Sequence, residues 1–142
     1  MDSDDRTLSN SRLEGIQDIL DGKFEIRRGL DELCEALRDT RCGREYEAQK
    51  NIVEGVHHIK EGICLIKKGL CKLRGQVDRK HLKEIRKGIC VIKRGLENLC
   101  RALNDLCCGK TEEAEKNLVN GICRIEEGLC MIDKGLEQIY RY

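Results

Sequence analysis

The chain predicts an all-α fold: a tandem duplicated helical hairpin closed into an antiparallel up-down four-helix bundle with glycine-heptad seams. Three observations predict it. Eleven of the fourteen glycines fall into runs with seven-residue spacing, the chain matches itself at a shift of 66 residues, and 37% of its residues are charged while proline is absent.

The periodic glycines are Gly15, Gly22 and Gly29; Gly55, Gly62 and Gly69; Gly88 and Gly95; and Gly121, Gly128 and Gly135. An aliphatic residue stands four positions after each of them and, Gly22 apart, at the next position too, as in GICLIKKGLCKL over 62–73. At about 100° per residue these three positions share one arc of a helix surface, the pattern of an amphipathic helix. Strand-like alternation of period two does not compete with it. A glycine inside a helix forgoes about 1 kcal/mol relative to alanine, so eleven forgo on the order of 10 kcal/mol. The expected compensation is close backbone approach. Helices without Cβ atoms at their contact pack nearer than the usual separation of about 8–10 Å and gain dispersion and Cα–H···O contacts.

Taken in order, residues 1–8 are acidic and polar and are expected as a flexible tail. The first helix, about 9–41, opens on Ser11 and Glu14 as a capping box and stops at Cys42-Gly43, where glycine serves as the left-handed cap. The second, about 45–74, stops at Gly75. Asp78 then caps the third, about 78–107. Cys108-Gly109 repeats the first turn and leads into a fourth helix, about 111–140. Gly22–Gly43 aligns with Gly88–Gly109, and Asn51–Leu73 with Asn117–Ile139. Residues 9–75 and 76–142 are therefore two hairpin repeats of one bundle domain. Helices of this length, about 45 Å, joined by such short turns must run antiparallel. Exchange of hairpins between subunits is the alternative architecture.

Composition excludes several function classes. A membrane glycine zipper fails because no stretch of about 20 residues lacks charge, Lys67 and Lys68 interrupting the best run. The aromatic residues are only Phe24, Tyr46, Tyr140 and Tyr142, too few for an aromatic cofactor box. Glycines seven apart make no phosphate loop, so neither a small-molecule substrate nor enzymatic activity is expected. Charge is segregated along the chain. Seven basic against eleven acidic residues give −4 over 1–43, seven against four give +3 over 44–76, eight against four give +4 over 77–109, and five against seven give −2 over 110–142. The net charge of +1 and the lack of interleaved aromatics argue against nucleic-acid binding, whereas acidic and basic edges suit association of like chains.

Ten cysteines are the remaining chemical signal: Cys34, Cys42, Cys64, Cys71, Cys90, Cys100, Cys107, Cys108, Cys123 and Cys130. No CxxC occurs, and the seven-residue pairs Cys64/Cys71, Cys100/Cys107 and Cys123/Cys130 sit about 10 Å apart along a helix, too far to bridge within it. Cross-links must join different helices or different chains. Five of these cysteines follow a seam glycine by two positions, which places them on the shoulder or back of the helix, next to an apolar strip of Leu65, Val91 and Met131. Such a strip usually has a second partner to cover it. Counted from the turns at Gly43 and Gly109, Cys64, Cys90 and Cys130 lie 21, 19 and 21 residues away, a common layer, and Cys123 shares a depth of fourteen with His57. These five residues are the candidate ligands of a soft-metal site for copper or zinc.

The leading expectation is a structural protein that assembles with itself into a filament, sheet or coat stabilised by cysteine cross-links. Its alternative is a copper or zinc thiolate store, and the third reading is an adaptor bundle with inert thiols. The chain opens without a cationic or apolar leader, so synthesis in the cytoplasm without a signal peptide is expected. Persistent disulfides then imply a final site that is oxidising, in an extracellular or spore-surface layer.

Overall fold

The computed structural model of the chain describes residues 3–141. Four helices follow one another: α1 (Ser3–Arg41), α2 (Glu45–Leu73), α3 (Arg79–Cys107) and α4 (Thr111–Arg141). Packing is strongest within the pairs α1/α2 and α3/α4 and weaker for α1/α4 and α2/α3, and among the described residues no Cα atoms come within 8 Å across the diagonals α1/α3 and α2/α4. The result is a square up-down-up-down bundle of two tight hairpins, as the duplication predicts.

What makes each hairpin tight is glycine set against glycine. Gly15 faces Gly69, Gly22 faces Gly62 and Gly29 faces Gly55; in the second hairpin Gly88 faces Gly128 and Gly95 faces Gly121. A methyl group placed on Gly22 would lie 2.5 Å from the carbonyl oxygen of Gly62, and one on Gly62 would lie 2.5 Å from that of Gly22. The same contacts explain the aliphatic residue at the fourth position, which covers the opposing glycine. Ile26 lies over Gly62, Ile66 over Gly22, Ile92 over Gly128 and Ile132 over Gly88. Each seam is thus a ladder in which a missing side chain on one helix receives an isoleucine or leucine from the other. One rung departs from the rule: at a shift of 66, Gly15 corresponds to His81, whose carbonyl faces Gly135. The His81 ring leaves the seam, and its Nδ1 lies 2.9 Å from Gln138 Oε1.

Residues directly after the glycines do a different job. Leu30 and Leu129, and Leu70 and Ile89, are buried where one hairpin meets the other. The core is therefore one cluster, with Ile, Leu and Ala throughout and no cysteine in it.

Both hairpin turns close in the same way. Gly43 and Gly109 adopt φ of +77° and +74°, and the Arg44 and Lys110 amides donate to the Asp39 and Asp105 carbonyls at 2.8 Å, the outer bond of a Schellman cap. The duplication extends to side chains, since Asn51 Nδ2 donates to Asp39 Oδ2 and Asn117 Nδ2 to Asp105 Oδ2, each at 2.8 Å. Between the repeats, Gly75 has φ +83° and Asp78 caps α3 by accepting from the Lys80 amide at 3.1 Å.

One boundary differs from expectation. The helix α1 begins at Ser3 and so takes in residues 3–8 of the stretch expected as a tail, residues 1 and 2 lying outside the described residues, and Ser11 and Glu14 lie inside it instead of capping its start. No proline or glycine stands before Ser11 from residue 3 on, so nothing in the sequence stops the helix from starting ahead of the capping signal.

Candidate functional site

Two grooves run along the bundle where the hairpins meet, and the square arrangement puts them on opposite sides. Their floors are alike, Leu30 and Leu129 between α1 and α4, and Leu70 and Ile89 between α2 and α3. Their rims are not. The α2/α3 groove carries Lys67, Arg74, Arg86 and Lys93 around Cys71 and Cys90, with no carboxylate among its lining residues. The α1/α4 groove carries Asp31, Glu126 and Asp133 against Arg27, around Cys34 and Cys130.

The electrostatics follow the same division. Across α1/α4, Asp133 pairs with Lys23 and lies 3.9 Å from Arg27, while Arg41 Nε meets Glu115 Oε1 at 2.7 Å. Among the described residues no ion pair joins α2 to α3. Instead Lys67 and Lys93 face each other, and the neighbouring Lys93 together with burial holds the Lys67 pKa below its ordinary value. Cations meeting across a groove floored by leucine and isoleucine leave a positive field that the bundle itself does not neutralise. In the opposite groove, burial pushes the Cys34 thiol pKa up, and the Glu126 and Asp31 carboxylates push it further.

All ten cysteines are free and exposed. Depth alone predicted a layer of Cys64, Cys90 and Cys130; the structure places Cys64 and Cys90 beside Lys67 but Cys130 in the α1/α4 groove. Because α2 and α4 are diagonal, with no Cα atoms within 8 Å of each other among the described residues, and both thiols are exposed, Cys64 is not brought to Cys130, nor His57 to Cys123. The His57 Nε2 lies instead 2.9 Å from Glu61 on its own helix. Half-buried Leu65, Val91 and Met131 flank the thiols as expected. Among the described residues the one group of three metal-ligand types within 4.8 Å is Glu25, His58 and Glu61, and it contains no thiol.

That group belongs to a polar cluster on the outer side of the first hairpin. The His58 ring bridges two α1 carboxylates, Nδ1 lying 3.1 Å from Glu25 and Nε2 2.9 Å from Glu32. The hydrogen bond with His58 holds the Glu25 carboxyl below its ordinary pKa, while burial, with Glu54 nearby, pushes Glu32 above it against the pull of His58. At the equivalent place in the second hairpin Arg124 Nη1 donates to Asn98 Oδ1 at 2.8 Å. A basic side chain from the second helix of the hairpin, His58 or Arg124, thus lies over the first helix in both repeats. The glycine register contained this information: once Gly22 is set opposite Gly62, His58 falls between Glu25 and Glu32.

The fold and its grooves define a class, a duplicated glycine-seam four-helix bundle with thiols confined to the surface. Comparison with protein-family models, with curated proteins and with solved structures finds no match. Among the described residues no helix is long and apolar enough to cross a membrane.

The two grooves should differ in thiol chemistry. A dianionic aromatic disulfide reagent, applied in small amount and quenched, is expected to modify Cys71 and Cys90 about tenfold faster than Cys34, because cations concentrate the reagent in one groove while burial and carboxylates raise the Cys34 pKa in the other. Peptide mapping by mass spectrometry reads the order, and in about 1 M salt the gap should shrink. Equal rates at low salt would mean that the groove charges do not govern the thiols.

Proposed function

We propose that the protein is a structural, self-assembling helical subunit of a filament, sheet or coat, sealed by cysteine cross-links. The observation that carries this reading is the placement of all ten thiols on the outside of a bundle whose core uses none of them. A cysteine kept for packing would be buried. Exposed thiols at this density suit bonds between chains. Exposed apolar residues support the same reading: of Leu13, Phe24, Tyr46, Val53, Val119 and Tyr140, all but Phe24 fall on the seven-residue stripes that run through Arg27, Lys67 or Glu126 beside the two grooves.

The cross-link needs an oxidant, and a low-molecular-weight disulfide supplies it. A thiolate of one chain attacks a sulfur of the reagent and releases one reagent thiol; a cysteine of the next chain then attacks the mixed disulfide and releases the second. Two protein thiols lose two electrons and two protons in all, and the reagent is reduced to two thiols. A thiolate store for copper or zinc draws less support from this arrangement, since Cys64 and Cys130 lie on diagonal helices.

Negative-stain electron microscopy with and without reductant, beside non-reducing gels of the same samples, tests the proposal. Ordered polymers with reductant-sensitive ladders are expected. Uniform single bundles with a full titre of ten free thiols, at every concentration and after exposure to oxidised glutathione, would rule it out.

A further inference from the structure

We propose that the α2/α3 groove is the docking face for a second copy of this chain, which presents its α1/α4 groove. The inference rests on the self-assembly reading above and names the surfaces involved. Charge complementarity selects the occupant. Four cations with no carboxylate rim one groove, and three carboxylates, of which Asp133 also pairs with Lys23, rim the other with one guanidinium.

Spacing matches as well as sign. Arg86 and Lys93 lie seven residues apart on α3 and Glu126 and Asp133 seven apart on α4, while Lys67 on α2 is seven residues before Arg74, which follows the helix end. The α3 and α4 pairs each span about 10 Å of helix, so two carboxylates meet two cations in one register without distortion of either helix. Both grooves also have an aliphatic floor, Leu70 and Ile89 in one and Leu30 and Leu129 in the other, which contact between copies would cover. Both also carry two thiols, Cys71 and Cys90 against Cys34 and Cys130, so the charge pairing brings cysteines of different chains to one interface.

The two grooves lie on opposite sides of the bundle, so the contact is heterologous. Each copy that docks uses one groove and leaves its other groove free, so the series keeps one open groove at each end instead of closing into a dimer.

Charge reversal tests the pairing, with reductant present throughout so that cross-links play no part. The unchanged protein, Lys67→Glu/Lys93→Glu and Glu126→Lys/Asp133→Lys are compared by sedimentation velocity at low salt, with circular dichroism to confirm that each is folded. Each reversed variant alone is expected to stay a single chain at about a hundredfold the concentration at which the unchanged protein polymerises, since like charges then face each other. Mixing the two variants should restore polymers, because every groove again meets its opposite, and so should all four changes in one chain. That rescue separates pairing from general damage. If the reversed variants assemble like the unchanged protein, the groove pairing is wrong while self-assembly stands. Loss of assembly in the basic-groove variant while the acidic-groove variant still assembles would also overturn it, pointing to another anionic partner such as a nucleic acid. An unchanged protein that stays a single chain under all conditions overturns both this pairing and the reading on which it rests.

Discussion

Replacing Gly62 with leucine is expected to lower the unfolding free energy by roughly 3 kcal/mol or more, a large share of the 5–15 kcal/mol typical of a folded domain. The contact leaves no room for a side chain. An added Cβ would lie 2.5 Å from the Gly22 carbonyl oxygen and 2.6 Å from Ile26 Cγ1, and the first of these is backbone, which moves only if the helix moves. Gly62→Ala sets two effects against each other. Helix propensity favours alanine by about 1 kcal/mol, and overpacking costs about 1–3 kcal/mol, so a net loss is expected. Gly55→Ala should cost less, because its Cβ would lie 3.0 Å from the Gly29 carbonyl oxygen and from Leu33. Urea unfolding followed by circular dichroism gives the order. A midpoint that rises for Gly62→Ala would mean that propensity wins and that the helices separate freely, and the tight seam would then not be what holds each hairpin together.

The seams and turns were legible in the sequence because they depend on short-range spacing. A seven-residue period sets the face, and a glycine after the last periodic residue sets the cap; both are local rules, and Gly43, Gly109 and Asp78 behave accordingly. The start of α1 was not legible, since a capping box at Ser11 and Glu14 marks a favourable place to begin and does not forbid an earlier one. Nor was the partnership of the thiols. Distance from the turn gives depth along the bundle but says nothing about which helices are neighbours and which are diagonal. Cys64 and Cys130 share a depth and are kept apart by the square arrangement. The charge count by segment did carry the sign of each groove, because α2 and α3 are the basic helices and also adjacent ones. What a net charge per helix does not convey is that the cations line one groove without carboxylates among them.

A double substitution at Ile85 and Gly135 is expected to cost less than the two single changes added together, and the reason lies in what crowds the glycine. At Gly135 an added Cβ would lie 2.5 Å from Ile85 Cγ1, whereas the nearest backbone atom, the His81 carbonyl oxygen, is 3.1 Å away. The obstacle is mainly a side chain. Ile85→Ala alone removes a fully buried isoleucine and should cost about 3 kcal/mol through lost transfer energy and the cavity left behind. Gly135→Ala alone should cost about 1 kcal/mol, overpacking being partly offset by propensity. Together, the new methyl enters the space that Ile85 vacates, and a favourable coupling of about 1–2 kcal/mol is expected. The pair Ile26 and Gly62 is the contrast. Ile26 is also fully buried, but removing it leaves the Gly22 carbonyl oxygen 2.5 Å from the added methyl, so Ile26→Ala should recover much less of the Gly62→Ala penalty. Two double-mutant cycles measured by urea unfolding compare the seams directly. Equal coupling in both would mean that side chains set the helix separation everywhere; coupling confined to Ile85 and Gly135 would place the limit at glycine meeting glycine, and would identify the rung at His81 as the looser one.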